Sequence, residues 1–115
     1  MHYQMDTLAS YQKIIQNVLL QYVDRQYANA DIQNKAVFDL KKESYCVIST
    51  GWSGVKRIHN CFIHIDIIDG LVWIQQDGTE EGIAYDLEAA GISKSAIVLG
   101  FQESEVRPHT GYAVA

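Results

Sequence analysis

The sequence has few of the features that mark specialised classes of protein. Its 115 residues include nine basic residues against 14 acidic ones, which gives a formal net charge of −5. DNA-binding surfaces attract phosphates through concentrated positive charge, and the only adjacent basic pairs are Lys41-Lys42 and Lys56-Arg57. This balance argues against DNA binding by the chain alone, although these four residues define an alternative in which it contacts DNA directly.

Cysteine, proline and long apolar runs are also scarce. The two cysteines, Cys46 and Cys61, have neither a CxxC motif nor a zinc-ligand spacing, so we expect buried thiols in a reducing compartment. The N-terminal residues lack the basic region and apolar run of a signal peptide. The longest apolar runs fall far short of a membrane span. The sequence therefore predicts a cytoplasmic protein without a membrane segment.

The sequence does contain enough apolar residues for one core. Hydrophobic residues make up 48% of the chain and charged residues 20%, a balance typical of globular rather than disordered proteins. A chain of this length buries roughly two thirds of the surface that it exposes when unfolded. No repeat or linker divides it, so residues 1–115 are predicted to form a single domain.

Residues 61–80 predict a β-hairpin with two unlike faces. Asp69-Gly70 favours a type I′ turn, whose two central residues both need positive φ. Side chains alternate along a strand, so counting outward from this turn assigns each residue to a face. The predicted core face carries Ile63, Ile65, Ile67, Val72 and Ile74. The opposite face carries Phe62, His64, Asp66, Trp73 and Gln75, with Asp66 facing Trp73 and His64 facing Gln75.

A long helix and two further strands are predicted before this hairpin. Apolar residues at three- and four-residue steps predict a helix from Asp6 to about Tyr27, with Asp6 or Thr7 as its N-cap. The β-forming residues predict strands over 32–40, over 45–50 and from about Arg57, with a bend or bulge at 51–54.

A second helix is predicted after the hairpin. Thr79 is its expected N-cap, and Gly91 is expected at the C′ position with Ile92 in the accompanying hydrophobic contact. Residues 93–98 are predicted as a short helical turn before the C-terminal tail. The fold class is α+β: a long N-terminal helix and a four-stranded antiparallel meander, with the second helix and short turn packed on one face of the sheet.

Several motifs together resemble the XisI family. They follow in order along nearly the whole chain: Gly51-Trp52-Ser53-Gly54, Arg57-Ile58, His64-Ile-Asp66 through Gly70, Val72-Trp73-Ile74-Gln75, Asp77-Gly-Thr-Glu80, Gly82-Ile83-Ala84, Ile97-Val-Leu-Gly-Phe101 and Ala113-Val-Ala115. The family is known as the fdxN-element excision controlling factors of cyanobacteria. The resemblance implies a role in removing a DNA element during heterocyst differentiation, alongside a recombinase and a companion factor, XisH. It implies no enzymatic activity, no cofactor and no catalytic residue.

The residues themselves also argue against DNA strand transfer by this chain. A tyrosine recombinase needs an Arg/His/Arg cluster to stabilise the transferring phosphate. The only arginines are Arg25, Arg57 and Arg107, on three separate predicted elements. We therefore interpret the chain as a non-enzymatic factor that binds an XisH-like partner, a second copy of itself, or both.

The aromatic and polar face of the hairpin is the predicted partner-binding surface. Exposed aromatic residues rimmed by polar groups are typical of protein interfaces. The candidate residues are Trp52, Phe62, His64, Asp66, Trp73 and Gln75. A partner or the C-terminal tail is expected to cover Trp73, and burial of its indole in the core is the alternative.

A metal-dependent hydrolase or nuclease cofactor is the second hypothesis. His64 and Asp66 project to the same side of a strand, and Asp77 follows on the next strand. A divalent ion needs three or more converging ligands of the right type. The preferred interpretation is a hydrogen-bonded polar surface, in which His64 and Asp66 contact Gln75 and Trp73, and no metal is predicted.

Overall fold

In the part of the chain that the structure describes, two α-helices pack on one face of a five-stranded sheet. The computed structural model describes the backbone of residues 3–24 and 31–115, and the side chains of residues 7–24 and 31–115. The helices are α1 (Tyr3–Val23) and α2 (Ile83–Ala89). The strands are β1 (Asp31–Asp39), β2 (Ser44–Ser53), β3 (Lys56–Ile68), β4 (Leu71–Asp77) and β5 (Ile97–Leu99), and short 3₁₀ turns occur at Lys94–Ala96 and Arg107–His109.

The strands lie in the sheet in the order β1-β2-β3-β4-β5. The first four pair antiparallel, whereas β5 runs parallel to β4. The predicted α+β class is confirmed, but the four-stranded antiparallel meander is wrong because the sheet is mixed and has five strands. The helical turn predicted over 93–98 is a 3₁₀ turn followed by β5. Ile97 and Val98 are fully buried β-branched residues, which suit a strand beside β4 better than a helical turn.

The Asp69-Gly70 turn sets the register of the β3–β4 hairpin. Asp69 has φ of 51° and Gly70 of 78°, as both central residues of a type I′ turn require. Next to the turn, the Cα partners are those predicted, from Ile68 with Leu71 to Ile65 with Ile74. The predicted core residues Ile63, Ile65, Ile67, Val72 and Ile74 are all buried. The turn and the core face are confirmed.

A bulge in β4 changes the pairing further from the turn. His64 pairs with Gln76 while Ile65 pairs with Ile74, so Gln75 is an extra residue on β4. The predicted pairing of His64 with Gln75 is therefore wrong. At a bulge, two residues of one strand lie opposite a single residue of the neighbouring strand. Counting outward from a turn assumes one-to-one pairing and therefore does not predict a bulge.

A second bulge lies in β3, where it meets β2. Val47 pairs with Ile63, but Ile48 pairs with Cys61, so Phe62 has no partner on β2. Such an insertion re-aims the side chain of the bulged residue. The Phe62 ring consequently turns away from the face predicted for it.

The bend predicted at 51–54 is absent, because β2 continues unbroken to Ser53. Ser53 pairs with Lys56, so only Gly54 and Val55 lie between the two strands. Gly54 has φ of 61°, which glycine adopts without steric cost. This long hairpin carries Trp52 to the end of the sheet far from the Asp69-Gly70 turn.

Helix α1 covers the core face of the sheet, but its N-terminus is not where the sequence predicted. The helix begins at Tyr3, so Asp6 and Thr7 lie inside it and neither is the N-cap. Residues 1–5 contain no proline or glycine, so nothing in the sequence there prevents the helix from beginning before Asp6. The described helix ends at Val23, and the predicted end near Tyr27 lies outside the described residues.

The predicted apolar stripe of α1 is confirmed as part of the core, where Ile15, Val18, Leu19 and Tyr22 are buried. The Tyr22 hydroxyl donates a hydrogen bond to Asp86 of α2. The Tyr22 carbonyl accepts one from the buried Asn34 side chain of β1 at 2.7 Å. Tyr22 thus joins α1 to both α2 and the sheet.

Helix α2 begins at Ile83, four residues after the predicted cap. Asp77 organises the loop before it: Oδ2 accepts from the Ile83 amide at 2.9 Å, and Oδ1 accepts from the Thr79 amide at 3.0 Å and hydroxyl at 2.6 Å. Thr79 as N-cap is therefore wrong, and its hydroxyl oxygen accepts from the Gly82 amide instead. The carboxylate at the end of β4 satisfies the helix terminus because it reaches the first free amide.

The C-terminus of α2 is as predicted. Gly91 has φ of 119°, its amide donates to the Glu88 carbonyl, and the Ile92 amide donates to the Leu87 carbonyl, both at 3.0 Å. These two bonds define a Schellman motif. Ile92 and Leu87 are both buried in the same hydrophobic core, which is where the predicted hydrophobic contact requires them.

Replacing Asp77 tests its role at the start of α2. Asp77→Ala is expected to lower the free energy of unfolding by about 1–2 kcal/mol, because the Ile83 amide and the loop lose their acceptor. Glu80→Ala removes the same charge from an exposed neighbouring position and is expected to change stability by less than about 0.5 kcal/mol. Urea unfolding measures both; equal effects would show that charge, rather than capping, matters.

Candidate protein-interaction surface

The sheet face opposite α1 and α2 is the candidate surface, and we call it the outer face. It is formed by alternate residues of the first four strands: Val37, Cys46, Ile48, Trp52, Cys61, His64, Asp66, Trp73 and Gln75. Both described helices pack on the other side of the sheet, against the core. Over β1 to β3, no described helix or strand covers the outer face.

Three of the predicted site residues form a polar cluster on the outer face. His64 Nε2 lies 3.0 Å from Asp66 Oδ1, and the Gln75 amide nitrogen donates to Asp66 Oδ2 at 3.3 Å. The His64 and Asp66 side chains are 33% and 23% exposed. Gln75 keeps its contact with Asp66 despite the bulge, so the structure brings these three residues together.

This cluster does not have the geometry of a Ser-His-Asp triad. In such a triad the hydroxyl and the carboxylate contact opposite nitrogens of the imidazole. Here Ser44 Oγ, at 3.3 Å, and Asp66 both contact Nε2 of His64. The same nitrogen cannot take a proton from serine while it is held by the carboxylate, so the arrangement suits hydrogen bonding to a partner better than acyl transfer.

The C-terminal tail covers Trp73. The Arg107 guanidinium carbon lies 5.1 Å from the centre of the Trp73 ring, within the range of a cation–π interaction. Arg107 also donates to the carbonyls of Gln102 at 3.1 Å and Ala115 at 3.2 Å. Trp73 remains half-buried. Of the two alternatives for Trp73, the structure shows cover by the tail rather than burial in the core.

Tyr112 anchors the same tail to α2. Its hydroxyl donates to Glu88 Oε2 at 2.7 Å, and the Lys94 ammonium lies 5.6 Å from the ring centre. Burial raises the pKa of Tyr112 to about 12, and the hydrogen bond and negative charge of Glu88 add to the rise. Arg107 and Tyr112, neither of which the sequence singled out, therefore hold the tail at two points.

Trp52 and Phe62 do not join this cluster. Trp52 is 48% exposed under the Arg57 guanidinium, which lies 5.3 Å from its ring centre. It is eight residues along β2 from Ser44, which is roughly 26 Å. Phe62 contacts Tyr22 of α1 with a centroid distance of 6.2 Å. Its placement on the partner-binding face is therefore wrong, because the β3 bulge turns the ring toward the core.

The middle of the outer face is apolar, which the sequence interpretation missed. Val37 is 49% exposed, and Cys46, Ile48 and Cys61 beside it are half-buried. The cysteines are therefore not the buried thiols that were predicted. The alternation of Cys46 and Ile48 against the buried Tyr45 and Val47 was the signal for this patch.

The thiol of Cys46 has little nucleophilic character at neutral pH. Burial raises the pKa of Cys46 to about 11, and the neighbouring Cys61 and the Asp66 carboxylate add to the rise. Nucleophiles and metal ligands use the thiolate. Cys46 consequently contributes apolar contact area to the outer face rather than reactivity.

The three residues of the metal hypothesis lie on different faces of the sheet. Asp77 pairs with the core residue Ile63, and both of its carboxylate oxygens bind the loop before α2. His64 and Asp66 lie on the outer face. Within residues 7–24 and 31–115, no three His, Cys, Asp or Glu side chains converge as metal ligands.

The two basic pairs are also separated. Lys41 and Lys42 lie in the turn before β2, whereas Lys56 and Arg57 follow the turn after it. The ten residues of β2 place them roughly 30 Å apart. They do not combine into one positive patch that could follow a DNA backbone.

The fold defines a small α+β domain with both helices on one face of a mixed sheet and a half-open outer face. The chain belongs to the XisI family, described as XisI protein. The sequence model of this family matches residues 5–114. None of the described helices is long and apolar enough to cross a membrane.

Two crystal structures from Anabaena variabilis ATCC 29413 share the fold. A XisI-like protein is 34% identical, with a TM-score of 0.84 over 94% of this chain and 99% of its own. The fdxN element excision controlling factor XisI is 28% identical, with a TM-score of 0.80 over 95% of this chain and 99% of its own. No curated protein matches the sequence.

Removing Arg107 tests how the tail is held. Arg107→Ala is expected to lower the free energy of unfolding by about 1–2 kcal/mol, because one cation–π contact and several hydrogen bonds are lost. Hydrogen exchange of the Ala113 amide, which donates to the Ile97 carbonyl at 2.8 Å, should become faster. Arg57→Ala removes the equivalent contact with Trp52 and should leave that exchange unchanged. An unchanged exchange rate of the Ala113 amide in Arg107→Ala would show that Arg107 does not hold the tail.

Alkaline titration tests the Tyr112 anchor. The pKa of Tyr112 rises from 10.0 when unfolded to about 12 when folded, so the folded state holds this proton more tightly. The contribution of the Tyr112 hydroxyl to the free energy of unfolding is therefore complete below pH 10 and declines as the pH rises toward 12. Tyr112→Phe is expected to cost about 1 kcal/mol at pH 8 and to flatten this decline.

Urea unfolding from pH 8 to 12 provides the measurement. Tyr85→Phe is the matched control, because Tyr85 is 64% exposed on the same side of the molecule. The control should keep most of the parent's decline, because the charge of Tyr85 adds less to the pKa of Tyr112 than burial and Glu88 do. A Tyr112→Phe profile parallel to that of the parent would show that the hydroxyl does not hold the tail.

Proposed function

We propose that this chain is a non-enzymatic controlling factor for the excision of a DNA element and acts through protein–protein contacts of its outer face. Membership of the XisI family supports the excision role, and a relative of the same fold is named as an fdxN element excision controlling factor. The setting would be heterocyst differentiation in a cyanobacterium. Such a role places the chain in the cytoplasm with the DNA.

The proposal of protein–protein contacts is based on the composition of the outer face. An apolar patch of Val37, Cys46, Ile48 and Cys61 leads toward the exposed indole of Trp52, and no described element covers it. Aromatic and apolar groups that are buried against a partner contribute most of the binding energy at interfaces. Two adjacent apolar features on one face favour a partner surface over scattered exposure.

Polar groups at the other end of the outer face would align the partner. His64, Asp66 and Gln75 are partly exposed and already hydrogen-bonded to one another, so little side-chain entropy is lost when a partner binds them. The proposed partner is an XisH-like protein. Direct DNA binding is not part of the proposal, because the chain is acidic and its basic pairs lie far apart.

Binding to an XisH-like companion tests the surface. Trp52→Ala is expected to weaken the complex at least tenfold, because tryptophans that a partner buries at an interface often contribute about 2 kcal/mol or more. Isothermal titration with the purified companion gives the dissociation constant. The control is Tyr85→Ala, which removes a 64% exposed aromatic ring from α2 on the opposite side and should bind like the parent.

Trp73→Ala is less informative, because it would also release the tail through Arg107. If Trp52→Ala binds the companion as tightly as the parent does, the outer face is not the interface and the proposed mode of action is wrong. If neither the parent nor Tyr85→Ala binds, an XisH-like protein is not the partner.

A further inference from the structure

Strand β1 forms an open edge of the sheet. It pairs with β2 over nine consecutive positions without a register shift, and no described strand lies on its other side. The opposite edge is different. There β5 has only three residues, and the tail caps it through the hydrogen bond from the Ala113 amide to the Ile97 carbonyl.

β1 lacks most of the devices that keep edge strands from pairing. Such edges are commonly short, interrupted by proline, twisted away by a bulge, or guarded by charge. β1 is long and regular and contains no proline or glycine. Its only cation, Lys35, lies between Asp31 and Asp39 on the same strand and the same face. A second β1 strand could therefore neutralise the charge that would otherwise repel it.

We propose that two copies of the chain associate through β1, antiparallel, around a two-fold axis at Val37. The backbone groups of the two edges would then form one continuous ladder. The result is a single ten-stranded sheet with five strands from each copy, and with all helices on one face. The dimer contact runs along the edge of β1, and among the residues named for the apolar patch of the proposed function it uses only Val37.

The charges of β1 restrict the register to two choices, one of which has the axis at Val37. With the axis at Val37, Lys35 faces Asp39 of the second copy, and the symmetry repeats the pair on the other side. With the axis at Ala36, Lys35 would face Val37, and with the axis at Lys35 it would face itself. Opposite charges across a strand pair stabilise it, whereas like charges destabilise it. Both of these alternatives leave Lys35 uncompensated or repelled. An axis at Gln33 would pair Lys35 with Asp31, but it would put the polar Gln33 rather than Val37 at the centre of the interface.

The apolar residues of β1 select the register with the axis at Val37. Val37, 49% exposed on the outer face, would contact Val37 of the second copy. On the helix face Ala36 would lie opposite Phe38, which is half-buried beside Tyr45 with a centroid distance of 5.7 Å. Cross-strand contacts between aromatic, β-branched and small apolar residues stabilise antiparallel pairs. The exposed Val37 thus acquires a partner without rearrangement of the core.

Sedimentation velocity over a range of concentrations tests the proposal. The parent is expected to show a monomer–dimer equilibrium. Lys35→Glu should raise the dimer dissociation constant about tenfold or more, because two attractive charge pairs become repulsive. Val37→Glu should do the same by placing two carboxylates together at the axis. Both side chains are exposed, so the monomer should remain folded, as circular dichroism would check.

Lys56→Glu is the matched control. It makes the same change of charge on an exposed residue beyond the far end of β2 and should leave the dissociation constant within about twofold of the parent, since distant exposed charges are screened by salt. Trp52→Ala should also leave it unchanged, which separates this surface from the one in the proposed function.

A third variant examines the register itself. The Asp39 side chain also accepts from the amides of Lys41 and Lys42 at 3.1 and 3.0 Å. Asp39→Asn retains that acceptor but removes the charge, and should weaken the dimer by a smaller factor than Lys35→Glu. A parent that stays monomeric at millimolar concentration overturns the proposal. So does a dimer that neither Lys35→Glu nor Val37→Glu weakens.

Discussion

The positive φ angles of Asp69 and Gly70 are the constraint on which the sheet depends. They fix a two-residue reversal, and the reversal fixes which residues of β3 and β4 face each other. Because side chains alternate along a strand, a slip of one position would move the whole isoleucine set to the outer face. The two helices would then have no apolar surface to cover. One short turn thereby determines where the core lies and which face remains open.

Bulges at Phe62 and Gln75 modify this pattern without disturbing the core. The first adds the Phe62 ring to the apolar residues beneath α1, where it meets Tyr22. The second shifts Gln75 relative to β3 while leaving it in contact with Asp66. The outer face therefore has an aromatic residue at each end, with Trp73 held by the tail and Trp52 exposed.

Much of this fold could be predicted from the sequence where the physics is local. The type I′ turn, the Gly91 helix end and the isoleucine face each depend on a few neighbouring residues. The bulges could not be predicted, because they depend on how β3 fits two neighbours at once. The start of α2 was misplaced for a similar reason, since Asp77 and Thr79 are both good caps and only the folded loop selects Asp77.

The candidate surface was predictable only in part. His64, Asp66 and Gln75 follow from alternation, and the structure brings them together. The cover over Trp73 comes from Arg107, which lies 34 positions later in the chain, and no local pattern connects the two. Alternation along the strands assigns Val37 and Ile48 to the outer face. Whether they form an interaction surface depends on what covers that face, and no described helix or strand does so over β1 to β3.

The order of the strands has a consequence for how the chain folds as it is synthesised. Each of the first three strands closes onto the next through a short turn, so the loss of chain entropy at each step is small. β5 can join only across residues 78–96, and the Arg107 and Tyr112 anchors come later still. The antiparallel part of the sheet, together with α1, can therefore assemble while the ribosome is still adding the C-terminal third, and the tail is the last part to dock.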